Sequence, residues 1–444
     1  MPLQRRLLQP LYSRVLTSPA TRQLWRSTRD WLGRVSGQPP RLIYRLRMDD
    51  PVCCLLTQVL PALLEHYPLE LELRLLPPQS GLPAHATLDA WHLAQFHQLR
   101  FHSLTPPAQA DCWLAARILL GLEDLPQLER LALLKQLFTC VWEHQGGKLA
   151  TLALRFPPLD EESALPRLEQ ARLEADRLPD GGSGVLEYRG ERFIGLDDLP
   201  ELISRLESAG LNRLEHAPGL GDAGWPASGF LVTDSEMLAE IRSRRYRLDF
   251  YFCFCDPYSY LNLESMLALV DHYGLRLRLR PVTVPRSGKL AERPLPPVGL
   301  LWQSARHAGA RRLDFGEICL PDAAGLLNCH ALLAHAAQLG RERDMAESIL
   351  AGIWARGRDM NHRPHLLAVM REAGFRKADL DAVLTGATPD LANRHAAAWH
   401  NLDLPGLPGF VLETAKPVAL CGEDRLWALD MTLADTLNNN KSDY

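Results

Sequence analysis

The chain contains no Cys-x-x-Cys spacing among its nine cysteines. That absence excludes a dithiol exchange centre and a zinc ribbon built from neighbouring thiols. The cysteines are odd in number and scattered, apart from Cys53-Cys54 and Cys253/Cys255. No apolar run approaches the roughly 20 residues a membrane-spanning helix needs. The basic N-terminus is broken by Arg5, Arg6 and Arg14, so it lacks the unbroken apolar core of a secretory signal. Lysine is scarce, six among 49 basic residues, and the net charge of −4 makes no case for a nucleic-acid partner. His92, His97 and His102 recur every five residues, as do His330 and His335, which scatters them around a helix instead of lining one metal-binding face. The reading is a cytoplasmic protein with reduced thiols and no metal.

What is present is ordinary globular material, 46% hydrophobic and 23% charged over 444 residues, enough for two or three cores. The chain also repeats itself. Arg41–Arg74 aligns without a gap onto Arg247–Arg280 at an offset of 206, with 13 of 34 positions identical. Each copy holds an apolar strand, then Asp-Pro-x-(Cys/Ser), then a helix: Asp50-Pro51-Val52-Cys53 and Asp256-Pro257-Tyr258-Ser259.

Around these centres the pattern predicts five segments. Residues 1–40 form a basic amphipathic arm, with Leu8, Leu11, Tyr12 and Val15, then Leu24, Trp31, Leu32 and Val35, at helical spacing. The favoured reading packs that apolar face on the body; the alternative lays it on an anionic membrane. Residues 41–208 read as strand Arg41–Met48, helix from Asp50 to His66, strand Leu69–Leu75, a helical block to Leu178, a hairpin turning at Arg189-Gly190, and a helix from near Asp197. Residues 209–246, rich in Gly and Pro around 217–228, read as a linker. Residues 247–435 repeat the order with strand Arg247–Cys255, helix Asp256–His272, strand Leu275–Val282, helices between Asp322 and His400, a hairpin at Phe410–Leu412 and Val418–Leu420, and a helix from near Asp424. Residues 436–444 are a polar tail.

A helix N-terminus exposes unpaired N–H groups and the positive end of the dipole, so it suits a thiolate or another anion. Aspartate there is also among the best capping residues, and proline the preferred first helical residue. Asp50 and Asp256 therefore read either as caps alone or, at Asp256, as a base or anchor held ionised by the dipole, hence a weak base. Cys53, in the first turn of its helix, and Cys255 are candidate monothiols. Cys253 and Cys255 share a strand face, where free cysteine is commonly a core residue.

Asp249-Phe250-Tyr251-Phe252 followed by Asp256-Pro257-Tyr258-Ser259-Tyr260-Leu261 resembles the opening of the DsbA-like thioredoxin superfamily. The nearest branch holds 2-hydroxychromene-2-carboxylate isomerase and kappa-class glutathione transferase. Trp354-Ala355-Arg356-Gly357-Arg358-Asp359-Met360, Gly406-Leu407-Pro408-Gly409-Phe410-Val411 and Gly422-Glu423-Asp424-Arg425-Leu426 resemble further family segments in the expected order. The resemblance implies an α/β fold of two tandem DsbA-like thioredoxin domains, each with an all-helical insertion.

It also implies a site. Asp256 stands where that branch has a thiolate-stabilising serine, and Tyr258, Ser259 and Cys255 lie beside it. Pro408 takes the cis-proline position and Leu407 offers backbone groups to the cysteine of glutathione. Asp424, beside Glu423, meets the γ-glutamyl amine. In the first repeat the site is degenerate: Asp50, Pro51, Cys53, Ser183 at the cis-proline position, and Asp197. Three functions follow as expectations: a glutathione-linked isomerase or transferase acting on a small organic substrate, an inactive module binding a protein or peptide, or a monothiol oxidoreductase.

Overall fold

The structure, a computed structural model, describes residues 2–37, 39–79, 81, 84–122, 124–178, 182–212, 229–283, 295–385, 390–402, 404, 406–422 and 425–438. The chain divides into two compact units, one of Arg26–Ala227 and one of Met1–Trp25 with Ser228–Tyr444.

In the unit of Arg26–Ala227, β1 (Arg41–Leu46) runs into α3 (Pro51–His66) and on to β2 (Glu70–Leu75). Five helices follow, α4 (Ala84–Phe96), α5 (Gln109–Leu120), α6 (Gln127–Trp142), α7 (Gly146–Arg155) and α8 (Glu161–Ala175), then the hairpin β3 (Val185–Tyr188) and β4 (Glu191–Ile194), and α9 (Leu199–Ser208). The sheet order is β2-β1-β3-β4, parallel between β1 and β2 and antiparallel elsewhere. The parallel pair requires a crossover, which α3 supplies. Leu42, Tyr44 and Leu46 alternate along β1 and are wholly buried, as a central strand demands.

The other unit repeats this order. Strand β5 (Arg247–Phe252), α11 (Pro257–Tyr273) and β6 (Arg276–Pro281) start at the same offset of 206 as β1, α3 and β2. The strand register repeats too, Arg41 opposite Glu70 and Arg247 opposite Arg276. Helices α12 (Val298–Ala310), α13 (Ala323–Gln338), α14 (Glu342–Trp354), α15 (Arg363–Glu372), α16 (Leu380–Thr385) and α17 (Asp390–His400) precede the hairpin β7 (Gly409–Glu413) and β8 (Val418–Cys421) and the final α18 (Leu426–Asn438). The order β6-β5-β7-β8 has the same directions as the first sheet. Phe250 stacks on Phe252 and Phe410, each pair 5.3 Å apart, forming the core on one sheet face.

The structure differs from the sequence expectations in four places. First, β5 ends at Phe252, because Cys253–Cys255 already turn toward the helix cap. Second, α12 was not expected. Third, within the stretch read as linker, Ser235–Arg244 form α10, capped by Asp234 and packed on α11 and α18; residues 213–228 lie outside the described residues, as does the tail beyond 438.

Fourth, the N-terminal helices α1 (Pro2–Thr17) and α2 (Pro19–Val35) are docked with the opposite face inward. The expected inner residues Leu8, Leu11, Tyr12, Val15, Leu24, Trp31, Leu32 and Val35 are all more than half exposed. On α1 it is Gln9, Pro10, Ser13 and Thr17 that are buried. Ser13 Oγ accepts the Ile318 N–H at 2.9 Å, Trp302 Nε1 donates to Leu16 O at 2.9 Å, and Arg14 pairs with Glu317 at 2.7 Å. From Arg26 onward, α2 joins a buried ion-pair group of its own unit, where Asp30 takes Arg189 and Arg205 and Glu191 takes Arg26. Polar side chains with partners in place win the inner face over apolar ones.

Candidate active site

Asp-Pro folds as its residue types require. Asp256 adopts extended backbone angles (φ −105°, ψ 122°) as the cap of α11, and Pro257 starts the helix. One carboxylate oxygen, Oδ2, accepts both the Ser259 N–H at 2.7 Å and the Ser259 hydroxyl at 2.6 Å. Ser259 Oγ in turn accepts the Cys253 N–H at 3.1 Å. The hydroxyl thus ties the cap to the loop that delivers it, and Ser259 is fully buried. Asp256 keeps partial exposure, but protein encloses its carboxyl. Burial pushes that carboxyl up to about 6, against the bonds from Ser259 and Tyr258, which pull it down. The dipole favours an ionised Asp256, but desolvation outweighs it and lifts the carboxyl above the usual carboxylate range.

Cys253 is buried, while Cys255 is partly exposed with its thiol 3.9 Å from Pro321 O. The Tyr258 ring lies 6.1 Å from the His307 ring. Asn262 Nδ2 donates to Tyr258 O at 2.9 Å, holding the first turn. The Leu407–Pro408 bond is cis. Pro408 O accepts the Gly422 N–H at 2.9 Å, while Leu407 has no hydrogen-bond partner among the described residues. Glu423 and Asp424 lie outside the described residues.

The first repeat assembles its counterparts more tightly. Asp50 caps α3 with Oδ1 accepting the Val52 N–H at 2.9 Å. Ser183 Oγ donates to Asp50 Oδ2 at 2.5 Å and lies 3.5 Å from Cys53 Sγ. Pro51 is buried at the first helical position. Asp197 lies half-buried in the turn before α9, and it is the adjacent Asp198 that accepts the Ile194 N–H at 2.8 Å.

Two first-repeat expectations are corrected. Cys53 was read as a thiol whose pKa the helix terminus could lower; it is fully buried, and burial with the nearby Asp50 charge pushes it well up. A monothiol role for Cys53 is therefore dropped. Ser183 was placed at the cis-proline position, but register assigns that position to Gly184. Gly195 N donates to Gly184 O as Gly422 N donates to Pro408 O, and Val185 pairs on β1 where Gly409 pairs on β5. Gly184 has φ +68°, and a Cβ there would meet Val52 Cγ1 at 3.4 Å and Asp50 Oδ2 at 3.5 Å. Ser183 corresponds to Leu407.

Sequence reading gives Trp354 only as the start of a family-like segment and passes over Trp142, yet these tryptophans brace both loops. Trp354 Nε1, at the end of α14, donates to Phe254 O at 3.1 Å, and Trp142 Nε1, at the end of α6, donates to Met48 O at 3.1 Å. Met48 and Phe254 are equivalent positions at the offset of 206, so this brace recurs. His330, set aside as a metal ligand, lies 3.0 Å from Thr283 Oγ1 and edge-on to Phe254, and burial pulls it down to about 4. Among the described residues no three His, Cys, Asp or Glu side chains group as a metal site, and no helix is long and apolar enough to cross a membrane.

Residues 247–434 match the family described as DSBA-like thioredoxin domain. Among solved structures, a 2-hydroxychromene-2-carboxylate isomerase is 18% identical, covering 44% of this chain and 98% of its own, with a TM-score of 0.37. A probable DsbA oxidoreductase from Streptomyces coelicolor is 19% identical, covering 44% and 90%, with a TM-score of 0.35. A cytosolic disulfide reductase, DsbM from Pseudomonas aeruginosa with GSH, is 21% identical, covering 44% and 99%, with a TM-score of 0.34. A search of curated proteins finds no match. Strand order, the capped helix after β5 and the matched segment agree: residues 247–434 form a DSBA-like thioredoxin domain with a helical insertion.

Proposed function

We propose that the unit containing β5 is a glutathione-linked isomerase or transferase whose site works by acid–base chemistry at Asp256. The observation that carries this reading is the chemistry at the helix terminus. A carboxyl enclosed by protein, on a helix-cap residue that is itself partly exposed and braced by a buried serine, stands where the fold presents its reactive group. Asp256 and Ser259 cannot form a disulfide, so thiol–disulfide exchange has no protein sulfur at those two positions.

In this reading reduced glutathione lies extended beside Leu407 and Pro408, pairing with the backbone of Leu407, and Asp424 meets its amine. The glutathione thiol approaches Asp256. The carboxylate accepts the thiol proton as the sulfur attacks a small organic substrate, and the resulting acid returns that proton to the substrate. A carboxyl titrating near 6 suits both halves of such a transfer at neutral pH. In the first repeat, Ser183 already occupies Asp50 and Cys53 is buried, which supports a scaffolding or binding role there.

The test is calorimetric titration of reduced glutathione and S-methylglutathione into the wild type, Asp256→Ser and Asp424→Ala. Glutathione should bind the wild type, and Asp424→Ala should abolish binding. Asp256→Ser should bind glutathione about tenfold more tightly and raise the ultraviolet absorption of bound thiolate, because a serine donates to the thiolate where an aspartate repels it. Absence of heat at millimolar glutathione in both the wild type and Asp256→Ser would overturn the reading and leave a module that binds a protein or peptide.

A further inference from the structure

The sheet face that carries α17 holds a cavity of about 540 Å³, lined by the β5–β6–β7 surface and that helix. Its chemistry differs from the core on the opposite face. Asp249, Tyr251, Arg278, Arg280, Val411 and Glu413 alternate toward it from three strands, while Phe250, Phe252 and Phe410 point the other way. Asp249 is buried on the central strand, an unusual place for a carboxylate.

The arginines there exceed the carboxylates. Arg278 makes a two-pronged contact with Asp249 and also reaches Glu413 at 3.2 Å. Arg247 pairs with Glu413. Arg280 lies 3.4 Å from Asp249 and donates to His395 Nε2 at 3.3 Å, while His395 Nδ1 donates to Pro281 O at 3.1 Å. That histidine is buried, held neutral by desolvation, and fixes the guanidinium from behind. Arg394, exposed on α17, also lines the cavity. Arg278, Arg280 and Arg394 thus line the cavity against two carboxylates, Asp249 and Glu413, and Arg247 beside it takes part of Glu413.

The equivalent face of the first repeat is balanced. Arg41, Arg45 and Arg74 there pair with Glu72, Glu187 and Glu174. At the offset of 206, Glu72 has become Arg278. The remaining walls of the cavity are Tyr251, Ala398, Leu402 and Val411 with the amide of Asn401, and Trp399 packs on Tyr251 at 5.3 Å. Surplus guanidinium charge beside flat apolar walls, in a volume typical of small-molecule sites, is complementary to a compact anion with an apolar body.

We propose that this cavity binds a small organic anion, a carboxylate on a flat apolar frame, with Arg394 and Arg280 taking the carboxylate and Tyr251, Leu402 and Val411 the frame. This site stands apart from Asp256 and does not depend on the reading given for it.

The probe is 2-naphthoate, titrated calorimetrically into the full chain, with 2-naphthalenemethanol as the uncharged comparator and inorganic phosphate as the frameless one. Naphthoate should bind one to one, the alcohol at least about tenfold more weakly, and phosphate should not displace it. Arg394→Gln, at an exposed position, should weaken naphthoate about tenfold without a change in melting temperature. Ala398→Trp should fill the space and abolish binding, while Asp256→Asn should leave it unchanged. No binding at millimolar naphthoate, equal binding of the alcohol, displacement by phosphate, or indifference to both cavity variants would each overturn the proposal.

Discussion

Asp256 shows how two local effects compete at one residue. The helix terminus favours its charge, while enclosure of the carboxyl disfavours it, and enclosure wins. A raised carboxyl pKa means the folded chain binds the proton more tightly than the unfolded chain. The residue therefore costs nothing below about pH 4, its cost grows as pH rises through about 6, and it levels above. Asparagine keeps the cap and removes the charge. Asp256→Asn should raise stability at pH 7.5 by on the order of 2 kcal/mol and leave it unchanged at pH 4, as read by urea unfolding at both pH values. The dipeptide Asp-Pro made the caps legible, while the cis bond at Pro408 was legible only through the family resemblance of Gly406-Leu407-Pro408-Gly409. Enclosure was not, because it is set by chain far away in sequence. The same limit hid the burial of Cys53. The glycine-rich run before Val185 has no residue to anchor an alignment, and only strand register separated Ser183 from Gly184.

Among the elements, strands, crossover helices and hairpins could be read from alternation and turn residues almost to their ends. The helical insertion could be read only as a block, since helix-to-helix packing leaves no local mark. What locks that block to the site is one indole in each repeat. Trp354→Phe removes the donor to Phe254 O and leaves a buried carbonyl unpaired, which should lower stability by about 2 kcal/mol. Hydrogen exchange should quicken at Cys253–Asp256 before it does in the distant β8; equal protection throughout would refute the bracing role. Helices α1 and α2 misled in a different way. Their apolar periodicity is real, but the inward positions go to side chains with partners in the body, Ser13 on α1 and the half-buried Asp30 on α2. Gly357 makes the seat for α1: with φ +57° and an added Cβ only 2.6 Å from Pro10, it tolerates no side chain. Gly357→Ala should loosen α1, seen as faster tryptic cleavage after Arg14 and a lower melting temperature.

The molecule as a whole is one plan written twice, with the same strand order, offset, Asp-Pro cap and indole brace, and with the two helix termini differing after the proline, Val52-Cys53 against Tyr258-Ser259. The family match spans 247–434, yet the compact unit around it also includes Met1–Trp25 and the chain from Ser228. Leu231 N–H donates to the buried Asp430, and Val232 N–H to Tyr273 Oη at 3.3 Å. A fragment of 247–434 should therefore melt well below one of 228–438, as read by calorimetry. The contact between Ser13 and Ile318, 305 positions apart, gives this a wider meaning. Inheritance has kept a module whose edges are drawn by ancestry, while stability has been knitted across those edges by a stretch belonging to neither copy. Cutting the gene where the lineage ends would sever a stitch that the fold now needs.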